Sequence, residues 1–303
     1  MPYTTGDTTS SATCDGVDVR WSPPRPGGKA PPRRRPRRST RYRRAAWIAY
    51  ALGAAALIFG GFRYWQDEVV VRQAQERLGA VFQERASEVA AGTPASAFAA
   101  PPGAAPAAAP TDVAVGDDAD DPRLVLTTAG AGPDAVTAAV PGILREFPPA
   151  VGEVLGRMVI PAIGLEWMVV EGVELALLAG GPGHMPWTPL PGQPGNAVIS
   201  GHRTTRGAPF ADLDRLQAGD EILVETLIGT HTYRVVDHRI VAPTGVWVTE
   251  QWDGAWLTLT TCHPKGSARQ RLVVFAQLVD GPNLRAIERV FAGPYVVTDP
   301  PGG

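Results

Sequence analysis

Hydrophobic and polar positions follow one another along this chain in three textures, and each predicts a different kind of element. From Ala45 to Phe62 the run AAWIAYALGAAALIFGGF carries no charge; as a helix rising about 1.5 Å per residue it is long enough to cross a hydrocarbon core about 30 Å thick. Trp47 and Tyr50 at one end and Tyr64 and Trp65 at the other fit the aromatic belts of such a span. The competing reading is the core helix of a soluble protein, because Ala and Gly leave the run only moderately apolar. From Trp65 to Ala91, Val70, Ala74, Leu78, Val81 and Phe82 recur near helical spacing among Glu, Gln and Arg, which predicts a helix continuing outward.

The second texture is TPASAFAAPPGAAPAAAPT and the Ala, Gly and Asp rich stretch up to about Pro149. Its low hydrophobic density and repeated Pro cannot sustain a packed core, so it reads as a spacer. After about Val151 short β-branched runs separated by Gly, Pro and Asp predict strands near RMVIPAI, WMVVEG, NAVISG, DEILVETL, THTYRVVDHRIV, AWLTLTT and RLVVFAQLV. Strands at this spacing argue a mainly β domain, a barrel or a sandwich. A helical turn or two fits FADLDRLQAG, where Phe210, Leu213 and Leu216 share a face and Gly219 supplies the stop. The expected boundaries are a disordered basic segment 1–44, a membrane helix 45–62, a juxtamembrane helix 63–92, an Ala/Pro-rich linker 93–150 and a folded domain 151–303. About 150 residues suffice for a well-buried core. The 34 Gly and 30 Pro among 303 residues agree with one compact domain plus much unstructured sequence.

Charge adds an orientation. The net value of -2 hides twelve Lys or Arg against three acids up to Arg63, and sixteen against twenty-seven afterwards. Arginines at 33, 34, 35, 37, 38, 41, 43 and 44 abut the apolar run, whereas the other side turns acidic at Asp67 and Glu68. The positive-inside rule then keeps the N-terminus cytoplasmic and exports the rest, so the expectation is a single-pass membrane protein with its folded domain outside the cell. Such an Arg run is also the signature of a nucleic-acid-binding arm, but its place directly against the span favours the membrane. No small-residue cleavage site follows at the expected distance, which predicts an uncleaved signal anchor.

The two cysteines, Cys14 and Cys262, fall on opposite sides of that span, so no disulfide between them is expected. Cys262 is then either an inert buried thiol or a reactive one. It ends the run TLTTC and precedes the polar loop HPKGSAR, a position beside a cleft. A thiol attacks as thiolate, so a catalytic role requires a proton acceptor or a cation nearby. Of the five histidines, His231 and His238 belong to a strand pattern and are expected to face solvent at its ends. His184 sits in a Gly and Pro rich loop at a possible pocket rim. His263 adjoins Cys262, but neighbouring strand residues point to opposite faces. NAVISG delivers His202 onto a loop, where it can lean over a neighbouring strand. Arg271 opens the apolar run RLVVFAQLV, where a charge needs a partner or an anionic ligand; Arg269 has the same parity and is the alternative. A zinc site from Cys262, His263 and another His lacks a second cysteine or a closely spaced ligand pair.

NAVISGHRTT, TLTTC and SARQRLVVFAQL together resemble, in order, the His, TLxTC and Arg signatures of sortases, over about half the chain from near Gly156 to near Asp280. The wording TLTTCHP with SARQRLVV is most similar to the actinobacterial class E group. The resemblance implies a sortase-like β-barrel of about seven or eight strands with short helices. It implies a membrane-anchored cysteine transpeptidase with Cys262 as nucleophile, His202 as acid or base, Arg271 as stabilising cation and Thr261 shaping the substrate groove. The implied substrates are proteins with a C-terminal LPxTG-like signal, LAxTG in this subgroup, cut between Thr and Gly. The implied acceptor is a peptidoglycan-precursor amine. No cofactor or metal is implied, no acidic cluster has calcium-loop spacing, and no nucleic-acid partner is expected. The rivals are an L,D-transpeptidase, which expects an SHGC-like run that TLTTC does not supply, a papain-like peptidase, which puts its cysteine ahead of its histidine, and a catalytically inactive wall scaffold on the same barrel.

Overall fold

The computed structural model describes residues 40–98 and 140–291. The basic segment before Thr40 and most of the Ala/Pro-rich linker therefore lie outside the described residues. By internal contacts the chain divides after Ala55. In the first unit the described residues are the opening turns of a helix, α1 (Thr40–Ala90); the second holds the rest of α1 and a β domain.

Among the described residues α1 is the helix long and apolar enough to cross a membrane, and none of its apolar window is buried. Trp47, Ile48, Leu52, Leu57, Ile58 and Phe59 are all exposed. Further along, the same continuous helix packs on the β domain. Phe82 is buried against Val154 and Met168, with Leu78 beside them. Gln75 inserts its amide like a strand fragment, accepting from Met168 N–H at 2.6 Å and donating to the Met168 and Gly180 carbonyls at 3.2 and 2.7 Å.

The β domain is a closed barrel with strand order β1-β2-β3-β4-β7-β8-β6-β5. Its strands are β1 (Val154–Ile160), β2 (Leu165–Glu171), β3 (Gly183–His184), β4 (Gly195–Ser200), β5 (Glu221–Thr226), β6 (Gly229–Val241), β7 (Ala255–His263) and β8 (Gln270–Asp280). Seven correspond to the β-branched runs. The eighth, β3, is two residues of GPGH; no propensity marks it, and it exists because Gly183 pairs with Ser200 and His184 with Ile199. Closure leaves few open edges.

Strand alternation sorts the central strands onto two faces. Ala197 and Ile199 of β4, Leu257 and Leu259 of β7, and Leu272, Val274 and Ala276 of β8 fill the barrel interior. Val198, Trp256, Val273 and Phe275 point the other way, under Met185, Val248, Trp252 and the partly buried Trp247. Apolar layers on both sides explain why β8 reads as a continuous hydrophobic run. The predicted turn at FADLDRLQAG is a single 3-10 turn, Leu213–Arg215, and Phe210, Leu213 and Leu216 all enter the interior. Two short helices, α2 (Leu175–Leu178) and α3 (Leu284–Val290), complete the domain.

Two histidine expectations are corrected by burial. His238 is exposed, but His231 is 0% exposed, because Gly192 has no Cβ and lets the imidazole fill the space against its backbone. Burial holds His231 down to about 4. Its Nε2 lies 3.1 Å from Thr226 Oγ1, which donates to Glu146 at 2.6 Å. His184 is likewise buried, not at a rim. Its Nδ1 meets Glu171 at 2.8 Å and its Nε2 meets the Pro189 carbonyl at 2.9 Å. Although burial opposes the charge on this imidazole, the adjacent Glu171 carboxylate outweighs it and raises the pKa.

Candidate active site

The candidate residues converge where three strands end together. Parallel pairing of β4 with β7 sets Ser200 beside Thr260, and Gly201 N–H donates to the Thr260 carbonyl at 3.2 Å. One residue further, Thr261 donates its hydroxyl to the Gly201 carbonyl at 2.7 Å. His202 therefore leaves β4 alongside the end of β7 that carries Cys262. On the other edge of β7, Cys262 is the direct cross-strand partner of Arg271, and side chains so paired stand about 4.5–5.5 Å apart at Cβ.

Face as well as position is shared. Cys262 and Arg271 have the parity of Thr260, Val273 and Phe275, the face turned away from the barrel interior. Thr261 opposes Leu272 and takes the interior parity. The hydroxyls of Ser200 and Thr260, on the Cys262 face, are buried without a protein hydrogen-bond partner among the described residues. Cys262 is 1% exposed, His202 5% and Arg271 0%; such burial strengthens every electrostatic interaction made there.

The Arg271 guanidinium is held from behind, its Nη1 donating to the carbonyls of Ala268 at 2.8 Å and Gln270 at 3.1 Å. A guanidinium fixed in this way remains cationic at any working pH. Arg269, its rival by parity, is exposed. His263 turns from Cys262 and accepts at Nδ1 from Arg203 at 2.8 Å; partial burial, aided by the Arg203 charge, pushes its pKa down. Cys262 forms no disulfide, and among the described residues no three His, Cys, Asp or Glu side chains converge as a metal site would require.

A family model described as the sortase domain matches residues 158–279. Sortase D of Bacillus subtilis (strain 168) is 33% identical over 137 residues, covering 44% of this chain and 68% of that protein. The chain belongs to the sortase family. It is thus a cysteine transpeptidase by family, on an eight-stranded barrel. This sortase is also 32% identical to sortase SrtE1 of Streptomyces coelicolor over 95 residues, 28% of this chain and 27% of that one. Among solved structures, a sortase E mutant from Streptomyces avermitilis is 32% identical and covers 43% of this chain and 91% of its own, with a TM-score of 0.40. A sortase C structure from Clostridium perfringens described with a C-terminal cell wall sorting motif is 29% identical, with 43% and 73% covered and a TM-score of 0.40.

One residue of this sortase's site escaped the sequence reading. Arg203, next to His202, is 2% exposed and donates to the Cys262 carbonyl at 3.3 Å. The only available signal was a charge inside the stretch that β4 delivers, with an acid, Asp214, in the helical turn that follows.

Proposed function

We propose that this sortase is a membrane-anchored transpeptidase in which Cys262, His202 and Arg271 break a Thr–Gly amide and pass the acyl group to an amine. The observation that carries the reading is the meeting of β4, β7 and β8 at one end: direct pairing of Cys262 with Arg271 and arrival of the His202 loop beside them. In the first step the Cys262 thiolate adds to the threonine carbonyl carbon, and the oxyanion that forms is stabilised by Arg271. The C–N bond then breaks, the glycine amine takes a proton from the His202 imidazolium, and a thioester remains. In the second step an acceptor amine adds to the thioester, gives a proton to His202, and expels the thiolate. The thioester conserves the acyl group's reactivity, so a well-placed amine outcompetes water.

Thr261 supports the site from beneath by tying Gly201 to β7, and Ser200 and Thr260 offer hydroxyls on the reacting face to a polar peptide. The substrate we assign is a C-terminal LPxTG-like sorting signal, LAxTG by likeness to the class E group, and the acceptor is a cell-wall precursor amine. The exposed apolar window of α1, preceded by arginines, is the proposed single-pass anchor, with the N-terminus cytoplasmic, the linker 93–150 as spacer and the barrel outside.

The test is the full chain in lipid nanodiscs with LAxTG and LPxTG peptides and a panel of amines, products read by mass spectrometry. The reading expects cleavage between Thr and Gly, amide formation with a precursor-like amine, and faster turnover of the LAxTG peptide. Cleavage elsewhere, or hydrolysis at the same rate with and without every amine, contradicts it.

A further inference from the structure

The proposed mechanism leaves Arg203 without a role, although a buried cation needs one. The β4–β7 ladder ends at the pair Ser200 and Thr260, with one further bond from Gly201 N–H to Thr260. Beyond this, two side chains continue the lacing. Thr261 donates to the Gly201 carbonyl at 2.7 Å, and Arg203 Nη1 donates to the Cys262 carbonyl at 3.3 Å. His202 lies between the two tied residues, 201 and 203, and Cys262 bears one of the ties itself.

The guanidinium makes two further contacts. Nη1 faces His263 Nδ1 at 2.8 Å and Nη2 pairs with Asp214 at 3.0 Å. Asp214 belongs to the 3-10 turn whose Leu213 is anchored in the barrel interior, so one side chain joins the end of β7, the His202 loop and a fixed turn. We propose that Arg203 is a positioning residue for transpeptidation, a clamp that holds the Cys262 main chain in register with His202 and keeps His263 from competing for the thiol proton. The inference rests on the reading of Cys262 as nucleophile and His202 as its proton partner. A lone pair on His263 Nδ1 that accepts from a cation is withdrawn from acid–base work, and the depressed pKa of that imidazole agrees. A planar fork holds its acceptors in fixed directions, which the rotating donors of a single ammonium on a flexible stem do not.

The experiment uses the full chain in nanodiscs with an LAxTG peptide and an amine, comparing wild type, Arg203→Gln, Arg203→Lys, Asp214→Asn and Cys262→Ala. Because a misplacement of about 1 Å can cost as much as a hundredfold in rate, Arg203→Gln is expected to lower kcat about tenfold or more. KM for the peptide should stay within about twofold, the mark of an interaction lost in the transition state and not in binding. Arg203→Lys folds and loses about threefold or more in kcat, which keeps the test open if the Gln variant does not fold. Asp214→Asn loses less than Arg203→Gln. By NMR, the His263 imidazole titrates at higher pH in Arg203→Gln than in wild type. A folded Arg203→Gln or Arg203→Lys with wild-type kcat overturns the proposal, as does a fall in kcat matched by the loss of folded protein in circular dichroism. Turnover by Cys262→Ala overturns the catalytic reading itself, so the two failures are distinguishable.

Discussion

Replacing Thr261 by Val removes one hydroxyl and keeps the volume and branching of a buried strand residue. The lost bond is the 2.7 Å contact to the Gly201 carbonyl, and both residues are buried. A lost hydrogen bond costs about 0.5–1.5 kcal/mol net, and a carbonyl left buried without its donor pushes the cost toward about 2 kcal/mol. For a domain of this size each kcal/mol lowers Tm by roughly 2–4 °C, so a fall of about 4–8 °C is expected. The same bond fixes the residue before His202, and if about 1.4 kcal/mol of that cost is felt as misplacement of the imidazole, kcat falls about tenfold. The assay pairs thermal unfolding of the full chain in detergent with steady-state transfer of an LAxTG peptide to an amine. Thr261→Ser should recover most of both losses, since it restores the donor. A Thr261→Val protein within about 0.5 kcal/mol of wild type and within twofold in kcat refutes the claim that this bond holds the His202 loop.

Two groups away from the site, the half-buried Glu146 and the buried His231, make pH predictions of opposite sign. Burial raises the Glu146 carboxyl from 4.5 to about 7, against its bonds from Thr226 and Leu227, so the stability it contributes is full below pH 4.5 and is lost as pH climbs through about 7. His231, lowered from 6.5 to about 4, contributes stability above pH 6.5 that is lost as pH falls through about 4. Measured as urea midpoints relative to wild type, Glu146→Gln should gain in stability as pH goes from 4.5 to 7 and His231→Asn should lose; the same sign in both contradicts the burial argument. Glu171→Gln leaves His184 without its counter-charge in the interior and should destabilise by about 3 kcal/mol, the cost of breaking a buried pair. A midpoint unchanged in that variant shows that the pair is not ionised.

Most of the barrel was legible because strands with one interior face write a period of two, and because β7 and β8, covered on both faces, write β-branched runs. The strand β3 was not legible, since a Gly and a His paired across two residues owe their conformation to Ser200 and Ile199. His184 and His231 misled for the same reason: a lone imidazole in a polar stretch reads as exposed until Glu171, or the bare backbone of Gly192, supplies a place for it. The motif residues were legible as a set by resemblance, while their meeting at one barrel end required the β4–β7–β8 register. Arg203 stayed hidden because two of its partners, Cys262 and His263, are far from it along the chain and close only once that register forms.

The account stands on a covalent bond at one sulfur. The full chain in nanodiscs, mixed with an LAxTG peptide without an amine and quenched in acid, should gain the mass of the acyl fragment cut after threonine. Peptide mapping should place that mass on Cys262, and hydroxylamine should remove it. An unchanged mass while the peptide is being cleaved, or an adduct on any other residue, contradicts the account.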